Sequence, residues 1–282
     1  MEAGRLIVIG VVAIAAWALQ VAPAQAAGFP FGPVQPPFAE SPQQRPETRP
    51  ETPPSGHEIR DRVDDARQIA AAAPGAVSFA VIGADGRVHG YREHATYYSA
   101  SIVKAMLLAA ETRRLHAAGA PLDDATESAL RAMITVSDND AASAIFDRVG
   151  PEGLDSVAER AGMTDFSVDY AWGFSRVSAA DMALFFHGLD RAFPAEHRKF
   201  AKGLLGSIVE DQAWGLPDAV PAGWSVRFKG GWRPDDTGQL THQAAELKRG
   251  GRELAIAVLT DGLPSFEEGV GMIEGLGKTL VG

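Results

Sequence analysis

Strand-like segments lie at both ends of this chain, and segments with helical spacing fill the middle. Near the start, Ala76 to Ile82 is apolar and β-branched. Asp85-Gly86 predicts a two-residue hairpin turn, and Val88 to Tyr91 returns. Near the end, Trp224 to Trp232, Gln239 to Leu247 and Glu253 to Thr260 read as three strands. Their predicted turns are Pro234 to Gly238 and Lys248 to Gly251. Glu58 to Ala73 and Ser265 to Leu280 read as an opening and a closing helix. Between them, 122–206 is mostly helical: one helix capped by Asp123 or Asp124 runs to Met133 or Ile134, and others span Asp140–Val149, Pro151–Arg160, Ala179–Leu189 and Pro194–Ile208. Ser178, with Asp181 three residues on, resembles a capping box. The order predicts an α+β sandwich: one antiparallel sheet built from both chain ends, flanked by helices, with an inserted all-helical lobe.

The folded domain is expected over 57–282. Residues 1–27 have the pattern of a signal peptide: Arg5, an apolar run from Leu6 to Leu19, and small residues from Ala22 to Ala27. The run is short of the ~20 residues a membrane span needs. Left uncleaved, it would tether the protein to a membrane. Either way the domain is expected outside the cytoplasm, secreted or in the cell envelope. Residues 28–56 are expected to be a disordered linker. Ten of the 18 prolines fall between Pro23 and Pro54, with few large apolar residues among them.

The chain has no cysteine, which removes disulfides, thiol nucleophiles and thiolate metal sites. A net charge of −10 argues against a nucleic-acid partner. No His-Glu-x-x-His, P-loop or Gly-x-Gly-x-x-Gly pattern occurs, so no metal or other cofactor is expected. A monomer is expected.

Three short segments carry the chemistry. Ser101 and Lys104 are three apart at the start of a predicted helix, so they share a face. A serine needs a base to become a nucleophile, and a buried lysine can be that base. Ser137-Asp138-Asn139 offers a second hydroxyl, a helix cap and an amide able to donate and accept. Lys229 on a strand, followed by Gly230 and Gly231, offers a fixed cation where a ligand backbone can approach closely. Taken singly these are a helix start, a cap and a strand-end turn.

Together, Ser101-x-x-Lys104, Ser137-Asp138-Asn139 and Lys229-Gly230-Gly231 resemble, in order and spacing, the penicillin-recognising serine hydrolases. That group includes class A β-lactamases and D-Ala-D-Ala peptidases. The resemblance spans roughly 57–280 and implies their fold. It implies that Ser101 is acylated, Lys104 is its base partner and Ser137 passes a proton to the leaving nitrogen. It also implies that Asn139 holds the substrate's side-chain amide and Lys229 supports the substrate carboxylate. The oxyanion hole would be the backbone N–H groups of Ser101 and Trp232.

Two departures stand out. The Glu-x-x-Leu-Asn loop of class A β-lactamases is missing, and its glutamate activates the deacylating water. Met163 to Val177 holds only Asp165 and Asp169 as stand-ins. Gly230 replaces a threonine, and Arg227, Arg233 and Thr241 are the candidates to compensate for it. The expected activity is therefore β-lactam hydrolysis or acylation with slow deacylation. The alternatives are a D-Ala-D-Ala carboxypeptidase or other peptidoglycan amide hydrolase, and a catalytically impaired wall-binding protein. The expected partner is a small β-lactam or a peptidoglycan stem peptide. Trp172, Trp214 and Trp224 read as core or cleft wall. His242 and Gln243 read as packed sheet positions, and Lys278-Thr279 as a solvated helix face.

Overall fold

A computed structural model describes residues 56–282. The leader and all but the last residue of the Pro-rich linker lie outside the described residues. Helix α1 (Gly56–Ala71) leads to β1 (Ala76–Ile82) and β2 (Val88–Tyr91). The short β3 (Thr96–Tyr98) precedes a 3₁₀ turn (Ala100–Val103) and α2 (Lys104–Ala118). The lobe continues through α3 (Asp124–Thr135), α4 (Asn139–Ala161), β4 (Arg176–Ser178), α5 (Ala179–His187), α6 (Leu189–Ala192) and α7 (Ala195–Leu205). After α8 (Leu216–Ala219) come β5 (Ser225–Asp235), β6 (Gly238–Arg249), β7 (Arg252–Leu263) and α9 (Phe266–Val281).

The five-stranded sheet has the order β2-β1-β7-β6-β5, every pair antiparallel. It is assembled from both chain ends, as the pattern predicts. Both faces are covered, which explains the nearly continuous apolar run of β1. Val77, Phe79 and Val81 pack under α1 and α9, against Ile59, Val63, Ile273 and Leu276. Ala80 and Ile82 point the other way, into a core with Ile102, Leu107, Met182 and Phe185. That second core glues the helical lobe to the sheet.

Several details differ from expectation. The β1–β2 pairing ends at Ile82↔Val88, so the connection is 83–87 rather than two residues. The Asp85 carboxylate accepts from the Arg87 N–H at 3.1 Å and bonds the His89 ring at 2.8 Å. These local bonds replace those of a tight hairpin. The three later strands run longer than predicted, because pairing extends to Asp235↔Gly238 and Arg249↔Arg252. The latter leaves Gly250 and Gly251, both at positive φ, as a two-residue turn. The pairing of β3 with β4, Tyr97↔Val177, was not predicted; three-residue strands carry no readable period. Asp181 is buried. The Ser178 hydroxyl accepts from its N–H, but the Asp181 carboxylate accepts from Thr164 and Asp165 instead of closing a capping box.

Candidate active site

Ser101 lies in the 3₁₀ turn and Lys104 is the first residue of α2. In a 3₁₀ turn residues three apart eclipse one another, so the two side chains leave the same side. The preceding residue, Ala100, has φ 44°, and Ser137 has φ 58°. Non-glycine residues in this left-handed region store backbone strain of about 1–3 kcal/mol each, and such strain gathers at functional sites. The turn is tied down from behind. The Ser99 N–H donates to Ser175 O at 2.7 Å, and its hydroxyl donates to Trp172 O at 3.2 Å.

Lys104 is fully buried. Its ammonium donates to Ser137 O at 2.6 Å, Ser137 Oγ at 3.2 Å and Asn139 Oδ1 at 2.7 Å. Ser101 Oγ is not among its partners. Lys229, 1% exposed, reaches the same hydroxyl from the sheet: its Nζ lies 3.1 Å from Ser137 Oγ and 2.9 Å from Gly230 O. Asp138 stays out of this cluster. It caps α4, accepting from the Ala141 N–H at 2.7 Å.

Two ammonium groups sharing one hydroxyl in a dry site repel each other, and burial disfavours each charge. Burial pulls the Lys104 pKa down to about 8, partly countered by Asp138. Burial, then the charge on Lys104, takes Lys229 down to about 7. Near neutral pH at least one of them readily gives up its proton. The Ser137 hydroxyl can then donate to the neutral amine and accept from the charged one, so a proton has a path across it. Asn139 Oδ1 is held by Lys104, which leaves its NH₂ group to donate to a ligand carbonyl.

The two glycines after Lys229 are demanded by close approach. A Cβ on Gly231 would stand 2.8 Å from the backbone N atoms of Ser101 and Ile102. So β5 passes directly over the turn that carries Ser101. A Cβ on Gly230 would meet the Trp214 ring at 3.0 Å. Trp214 stands edge-on to Trp232 and Phe266, and this aromatic cluster fills space a larger side chain at 230 would need.

The loop after α4 does not bring a carboxylate to Ser101, which corrects the expectation for Asp165 and Asp169. Asp165 bonds His94 Nδ1 at 2.8 Å, and Asp169 accepts from the Ala171 N–H at 2.9 Å. Neither lines the cleft. What the loop delivers is Trp172. Its ring centroid lies 4.9 Å from Lys104 Nζ, and its indole N–H donates to Ser143 Oγ at 3.2 Å.

The cleft, about 440 Å³, is bounded by Ser101, Asn139, Trp172, Phe174, Trp232 and Arg233 among others. Of the cations named for the missing threonine, only Arg233 faces it; Arg227 turns to Glu246 at 2.9 Å. Thr241 is buried against Gly269. His242 and Gln243 are buried sheet residues: His242 Nε2 lies 2.9 Å from Tyr98 O, and the Gln243 amide donates to Trp214 O at 2.7 Å. Lys278 pairs with Glu274 on the outer face of α9. Sequence reasoning missed Ser143 and Asp147 in the cleft; their spacing of four and eight from Asn139 was the available signal.

A family model described as the β-lactamase enzyme family matches residues 125–282. The match holds Ser137, Asn139 and Lys229 but begins after Ser101 and Lys104. No curated protein matches the chain. Among solved structures, a β-lactamase from Sphaerobacter thermophilus is 22% identical with a TM-score of 0.69, over 78% of this chain and 94% of that one. The class A β-lactamase from Mycobacterium abscessus is 19% identical with a TM-score of 0.67, over 78% and 97%. PBP-A is 16% identical with a TM-score of 0.68, over 78% and 94%. These likenesses establish the fold: an antiparallel sheet with flanking helices, as in class A β-lactamases.

Proposed function

The chain belongs to the β-lactamase enzyme family, whose members are serine hydrolases, and we propose that it acts by acyl transfer through Ser101 on β-lactams. Ser101 Oγ attacks the lactam carbonyl carbon while its proton passes to the Lys104 amine. The backbone N–H groups of Ser101 and Trp232 stabilise the oxyanion; losing one such donor costs ~10²–10³ in rate. The C–N bond breaks, and Ser137 gives the ring nitrogen a proton that Lys104 resupplies across the same hydroxyl. Asn139 donates to the carbonyl of the acyl side chain. Lys229, with Arg233, attracts the substrate carboxylate. The observation that carries this reading is the Ser137 hydroxyl held between two buried lysines of lowered pKa.

Hydrolysis of the acyl-enzyme in class A β-lactamases uses a carboxylate beside the ester, and the loop brings none to Ser101. We therefore expect acylation to outrun deacylation. Intact-mass measurement after mixing with a penicillin tests this. A persistent adduct on the wild type, absent from Ser101→Ala, is expected. No adduct sinks the reading; rapid turnover without an accumulating adduct sinks its slow-release half. A D-Ala-D-Ala carboxypeptidase is the second reading, favoured by the absence of a glutamate from the loop. Release of D-alanine from a pentapeptide by the wild type, lost in Ser101→Ala, distinguishes it.

The reading includes export through residues 1–27, with the mature domain acting as a monomer in the envelope or outside the cell. The mass of the protein in that fraction, lacking the leader, checks the export step.

A further inference from the structure

The cleft holds one charge for which acyl transfer has no use. Asn139, Ser143, Phe146 and Asp147 project from one face of α4 into it. Ser143 is engaged by the Trp172 indole at 3.2 Å. The neighbouring Arg148 turns to Glu111 at 3.0 Å, on the far side of the helix. Asp147 has no hydrogen-bond or ion-pair partner among the described residues, although ten other carboxylates of the domain are anchored to a cation or a ring nitrogen. The same cleft is lined by aromatic rings, with Tyr170 93% exposed and Phe174 and Trp232 also open to solvent.

We propose that Asp147, with the exposed ring of Tyr170 in the same cleft, forms a subsite for a cationic group at the far end of the acyl side chain. The proposal rests on the acyl-transfer reading for its direction: the side chain runs from Ser101 past Asn139 and on along α4. Asp147 is eight residues beyond Asn139, about 12 Å along the helix axis at 1.5 Å per residue. Its side chain leans back toward the helix start, which shortens the gap. The cation must therefore sit on a flexible arm of several bonds, not directly beside the reacting amide. An ammonium or guanidinium there has a carboxylate and the open face of Tyr170 to meet. Arg233 sets the opposite sign on the other wall. Its guanidinium stacks on Phe174 at 4.4 Å and Tyr98 at 5.2 Å, and its buried Nε has no hydrogen-bond partner among the described residues. The cleft is thus polarised, negative on α4 and positive on β5.

The test uses three penicillins whose side chains differ at the tip: 6-aminohexanoyl, its N-acetylated form, and adipoyl with a terminal carboxylate. Second-order acylation constants are read by intact mass on the wild type, Asp147→Asn and Asp147→Lys. Asp147 is exposed, so neither variant disturbs the core. The wild type should prefer the ammonium over the acetylated chain about fivefold, as a half-exposed charge pair gives. The preference should shrink in about 1 M salt. It should fall to about one in Asp147→Asn, and Asp147→Lys should favour the carboxylate. Adducts on all three chains with the same ratio in wild type and Asp147→Asn overturn the subsite and leave acyl transfer standing. If no chain forms an adduct, acyl transfer falls. The subsite is then judged on Ser101→Ala by equilibrium binding, read from tryptophan fluorescence. An ammonium preference lost in Ser101→Ala/Asp147→Asn supports it, and equal binding overturns it.

Discussion

Two buried charge clusters in this domain are built on opposite terms. Glu246, on β6, is fully buried and ringed by cations: Lys202 at 3.1 Å, Arg227 at 2.9 Å and Lys248 at 3.1 Å. Asp190 joins from α6, bonding Lys202 and Lys248. Lys104 and Lys229 are as deeply buried, yet no carboxylate reaches either; their partners are carbonyl and hydroxyl oxygens. The consequence is visible in proton affinity. The Lys248 pKa is driven above its usual range by Glu246 and Asp190, despite partial burial. Those of Lys104 and Lys229 are drawn down to about 8 and about 7. Opposite charges nearby make a fixed strut; neutral partners in a dry pocket make a group that exchanges protons near neutral pH.

The contrast predicts separable effects. Lys104→Met should lower the acylation rate by about 10²–10⁴-fold, the usual loss of a general base, with a smaller change in melting temperature than the next variant. Glu246→Gln should do the reverse. It removes a buried anion from among three cations and should cost about 3 kcal/mol, read as a lower urea midpoint, with acylation by penicillin unchanged. A drop in acylation with the midpoint intact would dissolve the distinction between strut and proton relay.

pH sharpens it further. Acylation should climb about tenfold per unit below the Lys104 pKa and level off above about 8. Stability follows the same lysines with a definite sign. Their folded pKa values lie below the unfolded value near 10.5, so the unfolded chain binds more protons between about 7 and 10.5. The lysines' contribution therefore improves as pH rises through that window and is lost as pH falls toward 7. A denaturation series across that range, wild type against Lys104→Met, checks it: the variant should show a shallower rise. The smallest effect expected is for Asp165→Asn. Asp165 is committed to His94 at 2.8 Å and lies outside the cleft, so adduct lifetime by mass should change by less than about twofold.

The legible parts of the site were those whose meaning is local. Ser101 and Lys104 leave one side of their turn through a three-residue spacing, and Asp123, Asp138 and Ser178 cap helices as their types suggest. The order of strands and helices likewise follows from patterns of about ten residues. Three things were out of reach because they depend on contacts between distant segments. Trp172 reads as a wall residue in sequence, and only the loop's path lays it over Lys104. Gly230 reads as a missing threonine, whereas a side chain at 230 would crowd Trp214, sixteen positions earlier. Asp165 reads as a candidate base until His94, from before Ser101 in the chain, claims it.

By itself the sequence determined the α+β order and singled out the turn of Ser101, the Ser137 hydroxyl, the Asn139 amide and the lysine on β5. Periodicity, capping and short-range spacing are properties of neighbouring residues, so they survive without a fold. The tertiary structure decided which lysines lose their water, which carboxylates turn away and which one stands unpaired in the cleft. Burial and proton affinity belong to an environment built by segments far apart in the chain, and no local pattern encodes them.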